Sequence, residues 1–387
     1  MTRAAKPARS RRTSRAPGSA SLALGLAPSS YVSEESYARE SERVFAREWL
    51  PIGRVEDVVK PGDYVSIDIA GEPLVMLRDE TGALRVFTRI CRHRAMSIVE
   101  GAGNARRFVC PYHAWTYGLD GGLIGAPLMD KTPGFERGRC RLPSPQVEVW
   151  EGFVFVNFDP KAKPLAPRLA GLSRFFARWH FADMVTVRSY EFDTGWNWKV
   201  MCENFIEAYH HIGAHRVSLE PILPTRLVSV EETDGPYAIV HMGHAKPREA
   251  AEAKGESWAR LPELPELTER ERRRSSLVHV FPLLLMSPEA DRLEYYLLFP
   301  QGPARLRIRK VFCVPRSALG LPATEAAIND MTSRYLHYRV EDVSINDALM
   351  RGLHSRYAER GRLSHLERPL HDFRRYLDRM MAAKAGR

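Results

Sequence analysis

The sequence predicts an α+β protein of two domains, in which an all-β domain precedes a domain of antiparallel strands and helices. Three observations lead to this prediction. From about residue 62 the apolar and polar residues begin to alternate with the period of half-buried strands, and about residues 45–160 resemble a small all-β domain. Beyond residue 160, apolar runs typical of strands are interspersed with longer helical patterns. A pair of Cys–His motifs lies inside the part that is predicted to be all β.

A helix and several short strands are predicted before residue 160. Ser33 precedes two glutamates, so its hydroxyl can cap a helix whose first turn is acidic. Residues 64–69 alternate with period two, and residues 74–78 and 84–89 flank a turn, which indicates a β-hairpin. Shorter strands are predicted at 108–109 and 153–157, with a turn at 120–122.

Helices and strands are mixed after residue 160. Helices are predicted at 172–181, 197–211, 323–353 and 370–383. Strands are predicted at 223–230, 238–242, 277–285, 293–299 and 306–314. Residues 245–275 are dense in charge and contain two prolines, which is typical of an exposed loop or lid.

Charge and composition exclude several classes of protein. The chain of 387 residues has 57 basic and 47 acidic residues and a net charge of +10. Six of the basic residues and no acidic residue lie in residues 1–30, so the rest of the chain is only mildly basic and gives no ground for a nucleic-acid partner. The apolar runs are far shorter than the ~20 residues of a membrane span. Five cysteines do not make a disulfide scaffold, which points to a reducing compartment, the cytoplasm.

The first candidate metal motif is Cys91-x-His93 followed, after sixteen residues, by Cys110-x2-His113. Two chemistries fit these ligands: a structural zinc site, and a Rieske [2Fe–2S] cluster in which two cysteines hold one iron and two histidines the other. Zinc motifs usually pair like ligands along the chain, whereas each loop here supplies one cysteine and one histidine. The order of the ligands therefore favours the cluster.

The second candidate motif is Glu207-x2-His210-x4-His215. Glu207 and His210 would share one face of the predicted helix, and Gly213 would let the helix loosen before His215. Two imidazoles and a distant carboxylate form the facial triad of non-haem Fe(II) oxygenases. His211 is an alternative to His210, because His211 and His215 have the spacing of a helical metal-binding pair.

These motifs resemble those of the large (alpha) subunits of Rieske-type non-haem iron oxygenases, the ring-hydroxylating oxygenases. The resemblance covers about residues 40–380. It implies that Cys91, His93, Cys110 and His113 bind the [2Fe–2S] cluster, although Ala95 stands where the family often has glycine. It also implies that His210, His215 and Asp342, the last in a Glu341-Asp342 pair on a predicted helix, bind the mononuclear Fe(II).

The resemblance further assigns Glu207 a catalytic role as a bridging acid. It would link His210 to a cluster histidine, His113, of the neighbouring subunit in a head-to-tail homotrimer. The implied fold is an all-β Rieske domain joined to a helix-grip (Bet v1-like) catalytic domain with an antiparallel sheet. The expected division is a disordered basic tail at 1–30, an N-terminal helix at 31–50, the Rieske domain at 51–160 and the catalytic domain at 161–387.

The implied function is that of a terminal oxygenase. A separate NAD(P)H-dependent reductase, with or without a ferredoxin, would supply electrons, because the sequence has no dinucleotide-binding fingerprint. O2 would be activated at Fe(II) to hydroxylate or demethylate a small aromatic compound or a quaternary ammonium, betaine-like amine. A glutamate at the bridging position favours the amines. Two alternatives are a Rieske electron-transfer protein without oxygenase activity and a zinc-binding nucleic-acid-binding protein.

Overall fold

The computed structural model describes residues 24–245 and 261–382. Most of the predicted basic tail and part of the predicted charged loop therefore lie outside the described residues. The chain enters through two short helices, α1 (Ser29–Val32) and α2 (Glu34–Glu40), followed by a π-helical turn. Ser33 caps α2 as expected, since its hydroxyl accepts a hydrogen bond from the backbone N–H of Ser36 at 3.2 Å.

Three small antiparallel sheets follow these helices. The first contains β1 (Leu50–Arg54), β10 (Phe153–Asn157) and β9 (Gln146–Trp150). The second sheet has the order β4 (Leu84–Thr88), β3 (Glu72–Arg78), β2 (Asp63–Ile69) and β5 (Ala102–Asn104). The third sheet contains β6 (Arg107–Val109), β7 (Thr116–Gly118) and β8 (Leu123–Gly125). The predicted hairpin is present as β3–β4, where the Asp79 carboxylate accepts hydrogen bonds from the N–H groups of Thr81 and Ala83.

The described residues after 160 build a seven-stranded antiparallel sheet, which we call the large sheet. Its order is β11 (Met184–Thr194), β17 (Arg305–Pro315), β16 (Leu293–Gly302), β15 (Leu284–Pro288), β14 (Arg274–Val280), β13 (Tyr237–Gly243) and β12 (Val228–Val230). The prediction of one strand over 277–285 was wrong, because the chain turns at Phe281 and Pro282 and returns as β15. The edge strand β11 was not predicted, since its exposed positions carry polar residues and its apolar signal is weak.

Helices pack against both faces of the large sheet, since Phe175 of the first of these helices stacks on His241 and Phe373 of the last meets His279, which points to the other face. They are α3 (Leu165–Phe175), α4 (Trp198–Phe205), α5 (Glu269–Arg272), α6 (Thr324–Leu353) and α7 (Arg368–Ala382). The prediction of a helix over 172–181 was displaced, because α3 buries Leu165, Leu169 and Leu172 at helical spacing and the backbone enters the left-handed region at His180. No helix in the described ranges is both long and apolar enough to cross a bilayer.

One continuous core joins the first two small sheets to the large sheet. The ring of Phe153 on β10 meets Tyr295 on β16 edge to face, with centroids 4.9 Å apart. Asp57, which follows β1, accepts two hydrogen bonds from the Arg309 guanidinium on β17, at 2.9 and 3.1 Å. The division of the chain near residue 160 stays a prediction, but the two parts share packed apolar side chains and a bidentate ion pair.

Helix α6 carries one wall of the cavity described below. Its N-terminal half packs on β17 and β11, where Tyr335 contacts Phe312 and Tyr190 with centroid distances of 5.6 and 6.2 Å. Because Asp342 lies seven residues further along the same helix, about two turns, its carboxylate is presented beyond this packed region. The helix is thus anchored at one end and offers a candidate ligand in its middle.

Candidate metal centres

Cys91 and Cys110 each begin a turn of the same shape. The N–H of Cys91 donates to the carbonyl of Met96 and the N–H of Ala95 donates back to Cys91, at 2.8 and 3.1 Å. Cys110 repeats both bonds with Trp115 and Ala114, at 2.8 and 3.0 Å. Ala95 and Ala114 both have φ of 55°, a left-handed conformation that costs a non-glycine residue about 1–2 kcal/mol. The glycine often found at the first of these positions in the family relieves this strain.

The side chains of the two turns separate by type. Cys91 and Cys110 are buried, while His93 and His113 are exposed with ring centroids 4.7 Å apart. The His93 ring stacks on Trp115, with centroids 4.8 Å apart, so this imidazole is held in place from behind. Two buried thiols and two exposed imidazoles match the donor set of a two-iron cluster in which cysteines bind one iron and histidines bind the other.

Tyr117 supports the inner side of this centre. Its hydroxyl accepts a hydrogen bond from the N–H of Arg92 at 3.0 Å and lies 3.3 Å from the Cys91 Sγ. Burial, and then its hydrogen bond with Cys91, raise the pKa of Tyr117, so the hydroxyl keeps its proton and donates it toward the sulfur. Hydrogen bonds to cluster sulfurs raise the reduction potential of such centres.

The segment with the second motif is less helical than predicted. Helix α4 begins after Asn197, whose side chain accepts from the N–H of Lys199 at 3.0 Å, and ends at Phe205. Tyr209–Ile212 then forms a separate 3-10 turn. The prediction that Glu207 and His210 share one face of a regular helix was therefore wrong.

Glu207 itself explains the break in the helix. Its Oε2 accepts hydrogen bonds from the backbone N–H groups of Tyr209 and, at 3.1 Å, of His210. A carboxylate that caps a new turn in this way competes with continuation of the helix. Its Oε1 lies 2.6 Å from the Nδ1 of His210, so the pairing of these two side chains survives although the helix does not.

Three predicted ligands converge at the second centre. Nitrogen atoms of His210 and His215 and a carboxylate oxygen of Asp342 all lie within 4.8 Å of one another. The Oδ1 of Asp342 is 3.1 Å from the Nε2 of His215 and 3.9 Å from the Nε2 of His210. Two ligands bound at about 2.1 Å and at right angles to one ion are about 3 Å apart, so the spacing fits a metal after a small contraction. Two imidazoles and one carboxylate are the donor set of a facial triad.

Both ligand histidines are oriented by a carboxylate on the other ring nitrogen. Glu207 faces the Nδ1 of His210, and Glu341 faces the Nδ1 of His215 at 2.7 Å, which directs each Nε2 toward Asp342. The hydroxyl of Ser218 donates to Glu341 at 2.6 Å and fixes this carboxylate in turn. Burial would lower the pKa of His215, but the Asp342 and Glu341 carboxylates raise it, so the site favours a positive charge.

Sequence reasoning missed the pairing of Glu341 and Ser218 with His215. Glu341 is 126 residues from His215, and no spacing rule links them. Asn204, for which the sequence indicated no clear role, donates to the Oδ1 of Asp342 at 3.3 Å. These contacts depend on the packing of α4 and the turn after it against α6.

His211 does not join the converging group. Its ring is buried beside those of His210 and His215, with centroid distances of 5.0 and 5.4 Å. Its Nδ1 has no hydrogen-bond partner within the described residues. Burial, followed by the two neighbouring histidines, lowers the pKa of His211 to about 3, so the ring is neutral at physiological pH. The geometry favours His210 over His211 as a ligand.

A cavity of about 700 Å³ lies between the large sheet and α6 and reaches this centre. Apolar and aromatic side chains form part of its lining, among them Phe205, Leu277, Tyr296, Met331 and Tyr338. The opposite end is polar and carries Ser275, Ser287, Glu289 and Arg292. Among the described residues that line it, none belongs to the two cysteine turns, so the two candidate centres are separate on one chain.

Comparison with known families assigns both parts of the chain. Residues 48–136 match the model of the Rieske [2Fe-2S] domain, and residues 181–383 match that of the "Ring hydroxylating alpha subunit (catalytic domain)". The second match spans more than half of the chain.

The individual relatives that match the chain include subunits of both monooxygenases and dioxygenases. The chain is 32% identical over 188 residues to the carnitine monooxygenase oxygenase subunit of Acinetobacter baumannii, covering 48% of this chain and 51% of the relative. It is 36% identical over 197 residues to the benzene 1,2-dioxygenase alpha subunit of Pseudomonas putida, covering 48% and 43%. The chain thus spans about half the length, or less than half, of the curated relatives that it matches. A solved quaternary ammonium Rieske monooxygenase superposes with a TM-score of 0.79 at 23% identity, covering 93% of this chain and 96% of that one, which shows a common fold.

Proposed function

Because the chain belongs to the family of ring-hydroxylating alpha subunits, we propose that it is the terminal oxygenase component of a multicomponent enzyme. In this reaction, electrons from NAD(P)H serve to activate O2, and a small organic substrate is hydroxylated or demethylated. The observation that carries the proposal is the convergence of His210, His215 and Asp342 at a cavity in a chain that also has a Rieske domain.

The proposal assigns the seven candidate ligands to two cofactors. Cys91, His93, Cys110 and His113 hold the [2Fe–2S] cluster, and His210, His215 and Asp342 hold the mononuclear Fe(II). When bound, the cluster supplies single electrons and the Fe(II) binds and activates O2 beside the substrate. A zinc site at the cysteines is disfavoured by the separation of thiols and imidazoles described above.

The protein itself orients ligands and excludes water. Glu207 and Glu341 hold each imidazole in the tautomer that leaves Nε2 free for a metal. Asn204 holds Asp342 from the other side. The apolar walls near this centre, such as Phe205 and Leu277, keep bulk water away from the carbon atom to be oxidised.

Glu207 is proposed to connect the two centres between subunits of a head-to-tail homotrimer. Its carboxylate has further acceptor capacity beyond the bonds to Tyr209 and His210, so it can accept from His113 of the partner subunit. Exposed apolar side chains surround both ends of this contact: Tyr209 and Ile212 beside Glu207, and Met96 and Tyr112 beside the cluster histidines. Such patches are typical of surfaces that are covered in an assembly.

The remaining partners follow from the chemistry. A separate NAD(P)H-dependent reductase, with or without a ferredoxin, supplies electrons, and no nucleic acid or membrane takes part. We place the enzyme in the cytoplasm, because its five cysteines are unpaired and the cluster needs thiolates. The substrate is a small aromatic compound or a quaternary ammonium, betaine-like amine. We also propose the division given above, a Rieske domain at 51–160 and a catalytic domain at 161–387.

Metal analysis and coupled turnover test this function together. The purified protein should be brown, contain three irons per chain and consume O2 with NADH and a surrogate reductase in the presence of substrate. His210→Ala and Asp342→Ala should each retain the visible spectrum of the cluster, lose one iron and lose product formation. A matched control is His365→Ala, whose residue lies before α7 and outside the cavity.

Each alternative has its own signature. A zinc protein would be colourless, and a pure electron carrier would hold two irons and form no product. A variant of Asp342 that keeps three irons and full product formation would contradict the assignment of the second centre.

A further inference from the structure

The end of the cavity opposite the candidate metal is built from charged and hydroxyl side chains. Ser275 lies on β14, Ser287 on β15, and Glu289 in the turn from β15 to β16. Arg334 of α6 faces this end and lies eight residues before Asp342, which corresponds to about 12 Å along a helix. A substrate could therefore occupy both ends only if it is elongated.

The cations at this end already have acidic partners. The ion pairs are Arg292 with Asp291 (2.8 Å), Arg292 with Glu294 (2.8 Å), Lys310 with Glu294 (2.8 Å) and Arg334 with Asp330 (2.9 Å). The basic and acidic side chains of these pairs neutralise one another within the wall of the cavity. An anionic substrate group would have to break one of these pairs before it could bind.

Glu289 differs from these residues, because none of its contacts with the described residues is an ion pair. It accepts hydrogen bonds from the hydroxyls of Ser275 at 2.9 Å and Ser287 at 3.3 Å. These two serines fix the carboxylate on the cavity wall, but they do not neutralise it. Removing a carboxylate from water is costly, and burial raises the pKa of Glu289 to about 7. The nearby Arg292 guanidinium acts in the opposite direction, but its ion pairs are with Asp291 and Glu294.

We propose that Glu289 binds a cationic group of the substrate that carries N–H donors, an ammonium or a guanidinium, at the polar end of the cavity. The carbon to be oxidised then lies at the other end, beside His210, His215 and Asp342. This inference rests on the proposed function and narrows its substrate to an elongated organic cation. It excludes an unsubstituted aromatic hydrocarbon, which would leave the polar end unpaired.

The surroundings of Glu289 favour N–H donors over a quaternary ammonium group. A quaternary ammonium has no N–H to donate and is usually bound by aromatic faces. Two aromatic residues that line the cavity, Tyr296 and Tyr335, already have the ammonium of Lys310 over their rings, at 4.2 and 5.3 Å from the ring centroids. A carboxylate held by two hydroxyls is instead a hydrogen-bond acceptor with free lone pairs.

Calorimetric titration of the intact, metal-loaded protein tests the proposal. The probes are phenylalkylamines with chains of two to six methylene groups, the corresponding alcohols, and the corresponding trimethylammonium salts. The best amine should bind about 10- to 100-fold more tightly than its alcohol, the range of a hydrogen bond to a charged group. The trimethylammonium salt should exceed the alcohol in affinity by a smaller factor than the amine does.

Glu289→Gln should remove the preference for the amine and leave the affinity for the alcohol unchanged. The matched control is Glu266→Gln, which removes the same charge at an exposed site that pairs with His180. The visible spectrum shows that both variants are folded around the cluster, and iron analysis shows that the second centre is loaded. The comparison of probes on the unmodified protein stands even if Glu289→Gln does not fold.

Two outcomes overturn the proposal: no amine binds more tightly than its alcohol, including the case in which neither binds, or Glu289→Gln keeps the full preference. The test also separates this inference from the proposed function. Oxidation of unsubstituted aromatic compounds, together with no preference for any amine over its alcohol, would retain the oxygenase and remove the cation site. Selective amine binding without product formation by any electron donor would retain the cation site and remove the oxygenase.

Discussion

Oε2 of Glu341 lies 2.7 Å from Nδ1 of His215, and Glu207 repeats this relationship with His210 at 2.6 Å. Two carboxylates thus hold two imidazoles so that both Nε2 atoms turn toward Asp342. The two pairs differ in their surroundings. Glu341 is anchored by the Ser218 hydroxyl, whereas Glu207 is anchored by backbone N–H groups and lies next to exposed apolar residues. The following predictions separate their roles.

Glu341→Gln should weaken iron binding at the second centre by about 10- to 100-fold, because the partner that orients His215 and raises its basicity is lost. The measurement is iron content after equilibration with graded concentrations of a chelator, with the cluster followed by its visible spectrum. Glu325→Gln, on an exposed face of the same helix, is the control. Equal retention of iron in Glu341→Gln and the control would show that His215 needs no carboxylate partner.

With iron supplied at a concentration that saturates the second centre, Glu207→Ala should keep both metals bound but reduce NADH-coupled turnover by at least about 100-fold, since the link between subunits is lost. Its iron affinity should fall no further than that of Glu341→Gln, which loses the equivalent partner of His215. Glu207→Gln keeps the size of the side chain and can still accept at its amide oxygen, so it tests whether the turn at Tyr209–Ile212 needs this acceptor. Reduction of the cluster by dithionite, which bypasses the reductase, should be normal. Retained coupled turnover in Glu207→Ala would end the bridging role.

Tyr117→Phe should lower the reduction potential of the cluster by about 40–60 mV. In the unmodified protein, the hydrogen bond to the Cys91 sulfur stabilises the more negative reduced state of the cluster. One such bond is worth about 1 kcal/mol, and its loss lowers the potential of this one-electron couple. A redox titration followed by electron paramagnetic resonance measures the change. Tyr64→Phe is the control, because Tyr64 packs on Phe108 in the same core without a bond to sulfur. An unchanged potential would mean that this bond does not act on the cluster.

Amine binding should weaken as the pH falls through about 7. Burial raises the pKa of Glu289 to about 7, so the carboxyl is neutral below this pH and ionised above it, and only the ionised form attracts a cation. Well below pH 7 we expect about a tenfold loss of affinity per pH unit, while the amine keeps its charge. The charged and titratable groups that face Glu289 or its serine partners are Asp291, Arg292, Glu294, Lys310, Arg334 and His244.

The pH profile of calorimetric affinity checks this prediction in three proteins. The unmodified protein should show the loss, Glu289→Gln should show a flat profile, and His244→Gln should still show the loss. A profile that becomes flat in His244→Gln instead would assign the titration to the histidine that contacts Ser275.

Spacing along the chain was enough to locate the candidate cysteine and histidine ligands, whereas Asp342 was expected from the family resemblance. The two Cys–His turns and the Glu-x2-His-x4-His motif are local, and a tight turn or a short stretch of backbone brings their side chains together whatever the rest of the fold does. The helix that carries Asp342 and most strands of the large sheet were also predicted, because apolar periodicity reports directly which face is buried. The weakly amphipathic edge strand β11 was missed for the same reason.

The sequence by itself therefore determined the family, the α+β fold class and the residues that can hold two metal centres. Only the tertiary structure decided how those residues are held and what they face. It ended α4 at Phe205 because the Glu207 carboxylate caps the next turn, and it paired His215 with Glu341 across 126 positions of sequence. It also placed Glu289 on the cavity wall with two serine hydroxyls and, among the described residues, no ion-pair partner. Such contacts depend on which backbone segments pack together, and that information is spread over the whole chain rather than held in any motif.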